Sequence, residues 1–434
     1  MAKEYANDET LTSQTIEKLQ LKRLKEAVGR AASSEWYQQR LQQAGITPDS
    51  IETLDDVRKL PLTTKDDLRE GMPFGFLAVP LSRVVRMHYS SGTTGVATSV
   101  YHTDDDLRYW AECAARGLRA VGVSEKDVFQ NMMGYGLFTG GLGLHYAAEL
   151  VGCMTIPAGA GNTQRQVEIL QRFSVTAIHV LPSYALRIIG HCREHGIDPA
   201  TDLSVKYAFV GAEPHSDMLR KRIEEGLGCK VYNCYGLSEM CGPGVAMECT
   251  EQYGLHLRED HYLAEILDSQ TLEPVEPGER GELVLTTLRR QAMPLLRYRT
   301  RDITRIIPGD CPCGSKHSRI ERILGRSDDM LIVKGVNIYP QQVEHVLMRT
   351  EEVGNNYVIV LESTEDLDEM IVRVELSQGV MSDNMRDLLG IEKRLVHALR
   401  DELLLTPQVE LLQPNTLAPA EGKVVRVIDN REQR

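Results

Sequence analysis

Residues 205–239 read VKYAFVGAEPHSDMLRKRIEEGLGCKVYNCYGLSE. The run 205–210 is apolar and strand-like, and Gly211-Ala212-Glu213-Pro214 breaks it. Residues 216–227 then have helical spacing with a polar face, and 230–234 form a second strand-like run that ends at Tyr235-Gly236-Leu237-Ser238-Glu239. The alternation starts further upstream. Residues 176–181 are a short apolar run stopped by Pro182, and 183–195 are helical in character. Alternating strand and helix predict parallel strands joined by helical crossovers. Ligands bind such sheets at the carboxyl ends of the strands, so 211–214 and 235–239 are expected side by side along one edge.

On either side the chain changes character. Ile16, Leu19, Leu24 and Val28 keep roughly helical spacing among charged residues, and a helix over 55–60 is expected to stop at Pro61. Thr64 is placed to cap the next helix, with Asp66 and Asp67 in its first turn. Beyond Asp302, residues 340–349 read as a helix, 357–361 and 370–376 as strands, and 384–405 as mostly helix, which suits a small α+β unit.

Composition narrows the function classes. With 434 residues, 42% apolar and 26% charged, the chain has the make-up of a folded protein of two or three domains. Asp plus Glu number 62 against 49 Lys plus Arg, a net charge of −13 that opposes binding to nucleic acid. No run of 18 apolar residues is present, so no membrane-spanning helix is expected. The acidic, polar stretch over residues 1–9 (MAKEYANDE) lacks the basic start and apolar run of an export signal. Together with nine cysteines, an odd number, this predicts reduced thiols in the cytoplasm.

The sharpest local motif is Tyr89-Ser90-Ser91-Gly92-Thr93-Thr94-Gly95. Its two glycines let the backbone bend around a ligand, and its hydroxyls and amides can donate to anionic oxygens. A phosphate cradle and a polar hairpin turn both fit this composition. No Gly-Lys-Ser/Thr follows, so it is not a Walker loop.

That segment and five others, in the same order, resemble the adenylate-forming acyl-CoA synthetase superfamily. The five are 211–214, 235–239, Tyr298-Arg299-Thr300-Arg301-Asp302, Gly325-Arg326-Ser327-Asp328-Asp329 and Glu421-Gly422-Lys423. The short length and Leu60-Pro61-Leu62-Thr63-Thr64-Lys65 are similar to the phenylacetate–CoA ligase family in particular. The resemblance implies an α/β fold: a large multi-layer adenylation domain with mostly parallel sheets over 1–327, then a small mobile α+β domain over 328–434. It implies ATP, magnesium and coenzyme A. Lys423 would be the catalytic cation, and Glu239, with Ser90, the magnesium ligand. Ser90, Ser91, Gly92, Thr93, Thr94 and Gly95 would hold phosphate. Gly211, Ala212, Glu213, Pro214, Tyr235, Gly236, Leu237 and Ser238 would frame the nucleotide base, Asp302 the ribose, and Arg326 the ribose or phosphate. Asp328 would be the hinge and Gly335 would face the pantetheine channel. The phosphate loop departs from the family pattern. Val96 and Ala97 stand where a lysine and a proline are usual, leaving the loop without a fixed cation.

Each residue also has a plainer reading. Lys423 could be a solvated charge, Glu239 a helix-start carboxylate, Glu213 a surface carboxylate, and Asp302 an ion-pair partner of Arg299 or Arg305. Arg297, Arg299 and Arg301 alternate, so on a strand they share one face, to meet phosphate or to pair with carboxylates. Tyr135 and Phe138, in a glycine-rich loop, suit either an aryl pocket or ordinary core packing. Cys311-Pro312-Cys313-Gly314 is a tight knuckle, and Cys249 lies seven residues before His256. Together they offer a Cys₃His set for structural zinc, with buried free thiols as the alternative and His317 as a competing ligand. The expected activity is ATP-dependent aryl-CoA ligation by a possible homodimer, with phenylacetate as the acid. The alternatives are a related adenylating enzyme that loads a deazaflavin or a carrier-protein thiol, and a non-catalytic ATP sensor.

Overall fold

Nine strands form the main sheet of the large lobe. Their order is Ile306–Ile307, Arg319–Ile320, Leu255–Leu257, Gly242–Glu248, Lys230–Leu237, Tyr207–Val210, Ala177–Val180, Val128–Asn131 and Met154–Ile156. The five strands from Lys230–Leu237 to Met154–Ile156 run parallel, each joined to the next in sequence by a helix. The other four are antiparallel. A second sheet, made of Tyr262–Leu267, Gly281–Thr287, Tyr298–Thr304 and Gly325–Arg326, is antiparallel throughout. The α/β class stands, with the sheets mixed rather than mostly parallel. Between residues 242 and 326 the strands are joined by connections with no crossover helix, and a parallel pair needs such a crossover.

This computed structural model describes residues 12–90, 97–137, 139–213, 215–334, 336–364, 367–378, 380, 385–417 and 426–431. Ser91, Gly92, Thr93, Thr94, Gly95, Phe138, Pro214, Gly335 and Lys423 lie outside the described residues.

Near the amino end, helices Ser13–Ala31 and Glu35–Gln43 bury Leu24, Val28, Tyr37 and Leu41 against the antiparallel sheet. Residues 54–59 form a 3-10 helix (Leu54–Lys59) instead of an α-helix. Thr64 caps Lys65–Glu70, accepting from the Asp67 amide while the Asp67 side chain accepts from the Thr64 amide.

The carboxyl-terminal part has a four-stranded sheet in the order Gln408–Leu412, Leu367–Leu376, Val353–Thr364 and Val427–Asp429, with helices Pro340–Arg349 and Met385–Leu403. Helix Pro340–Arg349 packs on helix Asp217–Leu227 of the large lobe. Val343, Val346 and Leu347 share one apolar core with Leu219, Ile223 and Leu227. Among the described residues, no helix is long and apolar enough to cross a membrane.

Candidate active site

The ends of the two parallel strands that the sequence singles out are neighbours, with Val210 opposite Asn233. Gly211 follows immediately. A β-carbon there would lie 2.3 Å from the Cys234 carbonyl oxygen, so only glycine lets the loop press onto the next strand. Ala212 takes a left-handed conformation (φ 64°), an unusual one for a residue with a side chain. The Glu213 carboxylate accepts from the Ser183 amide (3.2 Å) and hydroxyl (3.0 Å), at the start of helix Pro182–Glu194. That helix has Leu181 at its cap position and no side-chain cap of its own, so Glu213 supplies one from a distance. Its carboxylate is therefore committed to structure, and the loop backbone is what frames the edge.

On the other side of this edge, the Tyr235 hydroxyl donates to Asp302 at 2.5 Å. Asp302 is buried on strand Tyr298–Thr304, where it pairs in register with Arg326. Burial pushes the Asp302 carboxyl up to about 6, against the lowering effects of the Tyr235 hydrogen bond and the Arg326 charge. Arg326 makes a bidentate contact with Asp328, both bonds 2.8 Å, and its Nη1 is 3.9 Å from Asp302. Burial opposes ionisation of Asp328, yet the guanidinium holds it below the usual carboxylate range. The arginine stripe is paired with carboxylates. Arg297 meets Glu265 at 2.9 Å and Arg299 meets Glu282 at 2.7 Å, while Arg301 lies 3.7 Å from Glu282. Arg297 and Arg301 both have positive φ, so the three do not share a regular strand face.

Glu239 sits at the centre, in the 3-10 turn Ser238–Met240, with only 4% of its surface exposed. The Arg290 guanidinium donates to its backbone carbonyl at 2.6 Å, and Ser238 meets the Thr139 hydroxyl at 3.1 Å, which fixes the turn. Thr98 Oγ1 donates to the Glu239 carboxylate at 3.5 Å and lies 2.7 Å from Ser90 Oγ. The Ser90 amide also donates to the Thr98 carbonyl at 2.9 Å. Ser90 and Thr98 thus pinch the base of the glycine-rich segment and link it to Glu239. The buried Tyr298 phenol is driven well above its ordinary value, first by desolvation and then by the Glu239 charge.

Sequence reasoning missed two members of this cluster, Thr98 and Lys65. Lys65 Nζ lies 3.4 Å from the Glu239 carboxylate. It reaches the site because the preceding segment is stitched beside strand Tyr298–Thr304. The Thr63 amide donates to the Arg297 carbonyl (3.0 Å), and the Arg299 amide donates to the Thr63 carbonyl (2.8 Å). The Tyr37 and Thr63 hydroxyls, 2.6 Å apart, brace the same segment. Two sequence signals point to Lys65: the loop's missing cation and its place at the end of the Leu60–Lys65 family motif.

Tyr135, half-buried, places its hydroxyl 3.2 Å from His145 Nδ1, and His145 Nε2 lies 3.1 Å from Glu149. The ring is held by that polar chain, with His145 edge-on at 5.7 Å.

The cysteine set is assembled at a distance from this edge, on the antiparallel side of the main sheet. Cys249, His256, Cys311 and Cys313 place one ligand atom each within 4.8 Å of all the others. Cys249 and Cys311 Sγ are 3.7 Å apart, and Cys313 Sγ is 3.4 Å from His256 Nε2. Tetrahedral zinc with bonds of roughly 2.0–2.3 Å spaces its ligands by about 3.4–3.8 Å. His256 Nδ1 lies 3.1 Å from the His317 carbonyl, so donation there leaves Nε2 free to ligate. Burial lowers His256 to about 4, which keeps the ring neutral. His317 contributes its carbonyl, and its imidazole stands 3.5 Å from Glu259, outside the set.

A profile described as AMP-binding enzyme matches residues 22–289, and one described as AMP-binding enzyme C-terminal domain matches 335–431. The chain belongs to the AMP-binding enzyme family. Within that family it is 44% identical to a phenylacetate-coenzyme A ligase of Thermus thermophilus, with 98% of each chain covered. It is 40% identical to the phenylacetate-coenzyme A ligase of Escherichia coli, covering 98% of this chain and 97% of that one. Among solved AMP-binding enzymes, 2-hydroxyisobutyryl-CoA ligase in its postadenylation state superposes with a TM-score of 0.91, at 29% identity over 98% of this chain and 91% of that one. The same ligase in its thioesterification state reaches 0.72, at 30% identity over 98% and 92%.

Proposed function

We infer that the protein is an ATP-dependent aryl-CoA ligase of the AMP-forming type, with phenylacetate as its acid. The observation that carries the reading is the convergence on one sheet edge of a buried carboxylate with a lysine (Glu239, Lys65), a hydroxyl-pinched glycine-rich loop (Ser90, Thr98) and a carboxylate–phenol pair (Asp302, Tyr235). Near-full-length similarity to phenylacetate–CoA ligases supports the acid and thiol chosen.

The chemistry follows from the groups. A carboxylate is a poor acyl donor because oxide is a poor leaving group. Its oxygen attacks the α-phosphorus of ATP, the bond to the bridging oxygen breaks, and pyrophosphate leaves. The thiolate of coenzyme A then attacks the acyl carbon and AMP departs with the electron pair of the C–O bond. The first step concentrates charge on phosphate oxygens, so fixed cations help there most. We assign Lys423 to the α-phosphate side, on the family resemblance. We assign Lys65 to the remaining phosphates, in place of the cation the glycine-rich loop lacks. Asp302 accepts from the ribose hydroxyls, and the Gly211–Glu213 backbone frames the base.

Glu239, with Ser90 and Thr98 beside it, suits magnesium, which takes one or two protein ligands and fills the rest with phosphate and water. The ion would neutralise phosphate charge. The Cys₃His set suits a structural zinc that ties residue 249 to the 311–313 knuckle. Asp328 is the proposed pivot between residues 1–327 and 328–434, and the better match to the postadenylation arrangement supports reading this one as close to the adenylating state. All nine cysteines are unpaired, in keeping with a cytoplasmic setting. A homodimer and a pantetheine channel past Gly335 complete the proposal.

The test is a panel of aryl acids supplied with ATP, magnesium and coenzyme A. AMP and the thioester should form together, fastest with phenylacetate. Pyrophosphate release with no CoA product would point to another acceptor. ATP binding with no pyrophosphate release for any acid would make the protein a nucleotide sensor.

A further inference from the structure

The helix that follows the base-framing loop is gripped by the small lobe. Ser216, three positions after Glu213, is the cap residue of helix Asp217–Leu227, and its hydroxyl accepts from the Leu219 amide at 3.2 Å. The Ser216 amide itself donates across the lobe boundary to Glu344 Oε1 at 2.8 Å. Glu344 lies on helix Pro340–Arg349 and is 5% exposed. Its other oxygen accepts from the Tyr357 hydroxyl at 3.4 Å. Tyr357 in turn holds Arg426, whose guanidinium donates to the Tyr357 carbonyl at 3.1 Å and sits 4.3 Å over its ring. The Arg426 carbonyl accepts from the Ile359 amide at 2.8 Å, at the start of strand Val427–Asp429. Arg426 is three residues after Lys423.

These contacts form one path from the helix that follows the base-framing loop to Arg426. We propose that Glu344 is a positioning residue for adenylation: it clamps the small lobe onto the start of helix Asp217–Leu227 and, through Tyr357, holds Arg426, three residues along the chain from the cation assigned to Lys423. The proposal rests on the ligase reading above and goes beyond it by naming the contact that sets the adenylating arrangement. Three features make Glu344 effective. A carboxylate at a helix start meets the positive end of the helix dipole and an amide with no partner inside the helix. The contact is buried, where a charge-assisted hydrogen bond is strong. Neighbouring contacts share the same boundary: Arg222 donates to the Thr350 carbonyl at 3.1 Å, and Gln341 donates to the His215 carbonyl at 3.2 Å. A change at either end is therefore felt along the path. On this proposal, rotation about Asp328 breaks the Ser216–Glu344 bond, so the bond serves the adenylating arrangement alone.

The test uses the full chain with Glu344→Ala and Glu344→Gln. Acid-dependent pyrophosphate exchange should fall about 10-fold or more in Glu344→Ala, the scale of losing one charge-assisted hydrogen bond. Thiolysis of supplied acyl-adenylate by coenzyme A should keep its wild-type rate. Glu344→Gln, which retains an acceptor oxygen for the Ser216 amide, should recover most of the exchange. Hydrogen exchange should quicken in Glu344→Ala at both 216–219 and 426–429. That measurement needs no substrate, so it reads the clamp separately from the ligase assignment. Equal loss of both half-reactions, as a merely structural role would give, overturns the proposal. So does unchanged amide protection at 216–219.

Discussion

Lys65 and Asp302 each depend on surroundings that their neighbours in sequence do not reveal. Lys65 stands at the first turn of a short surface helix, and only the pairing of Thr63 with strand Tyr298–Thr304 turns it toward Glu239. Lys65→Ala should lower adenylation by about 10- to 100-fold, the effect of removing one preorganised charge from developing phosphate charge. It should spare thiolysis of supplied adenylate, because pyrophosphate has already left; stopped-flow half-reactions would separate the two. Asp302 is raised to about 6 by burial, so it is ionised above that pH, as its proposed ribose contact requires, and protonated below it. The KM for ATP should therefore rise as pH falls through about 6, and Asp302→Asn should flatten that dependence at a high KM. For stability the sign reverses. A carboxyl whose folded value exceeds its unfolded one is harder to ionise when folded, so its ionisation costs stability as pH climbs from about 4 to 6. Asp302→Asn should consequently melt higher than the parent at pH 7 while binding ATP worse, which calorimetry and titration would check together.

Elements divide by how locally their signals are written. The strand–loop–helix–strand run at 205–239 was legible because its periodicity, breakers and caps lie within one window, and Gly211 and Glu239 fall at the predicted strand ends. Strands between 242 and 326 were not. Several are short, Leu255–Leu257 and Arg319–Ile320 among them, and their partners lie far off in sequence, so no local pattern declares them. In the arginine stripe the pairing with carboxylates held and the shared strand face did not: positive φ at Arg297 and Arg301 takes it off a regular strand. Two substitutions act at this scale. Gly211→Ala puts a methyl against the Cys234 carbonyl and should both destabilise the fold and weaken ATP binding, as read by melting and nucleotide titration. Cys311→Ser with Cys313→Ser removes half of the Cys₃His set and should release about one zinc per chain and lower the melting temperature. Full stability in a metal-free parent would instead mark Cys249, Cys311 and Cys313 as free thiols.

The whole molecule is a large lobe whose parallel strands end at the proposed nucleotide edge and a small lobe that packs on the helix leaving that edge. Family motifs made both lobes legible, whereas the packing between them, through Glu344, Arg222 and the shared apolar core, came only from the three-dimensional arrangement. A chain that performs two reactions in one cleft needs its small lobe to present different groups in turn, and the claim beneath the rest is that Lys423 serves the first of them alone. Lys423→Ala, assayed for both half-reactions with phenylacetate, tests this directly. Acid-dependent pyrophosphate exchange should fall by about 100-fold or more while thiolysis of supplied phenylacetyl-adenylate continues at the parent rate. Unimpaired exchange, or an equal loss of both steps, would contradict it.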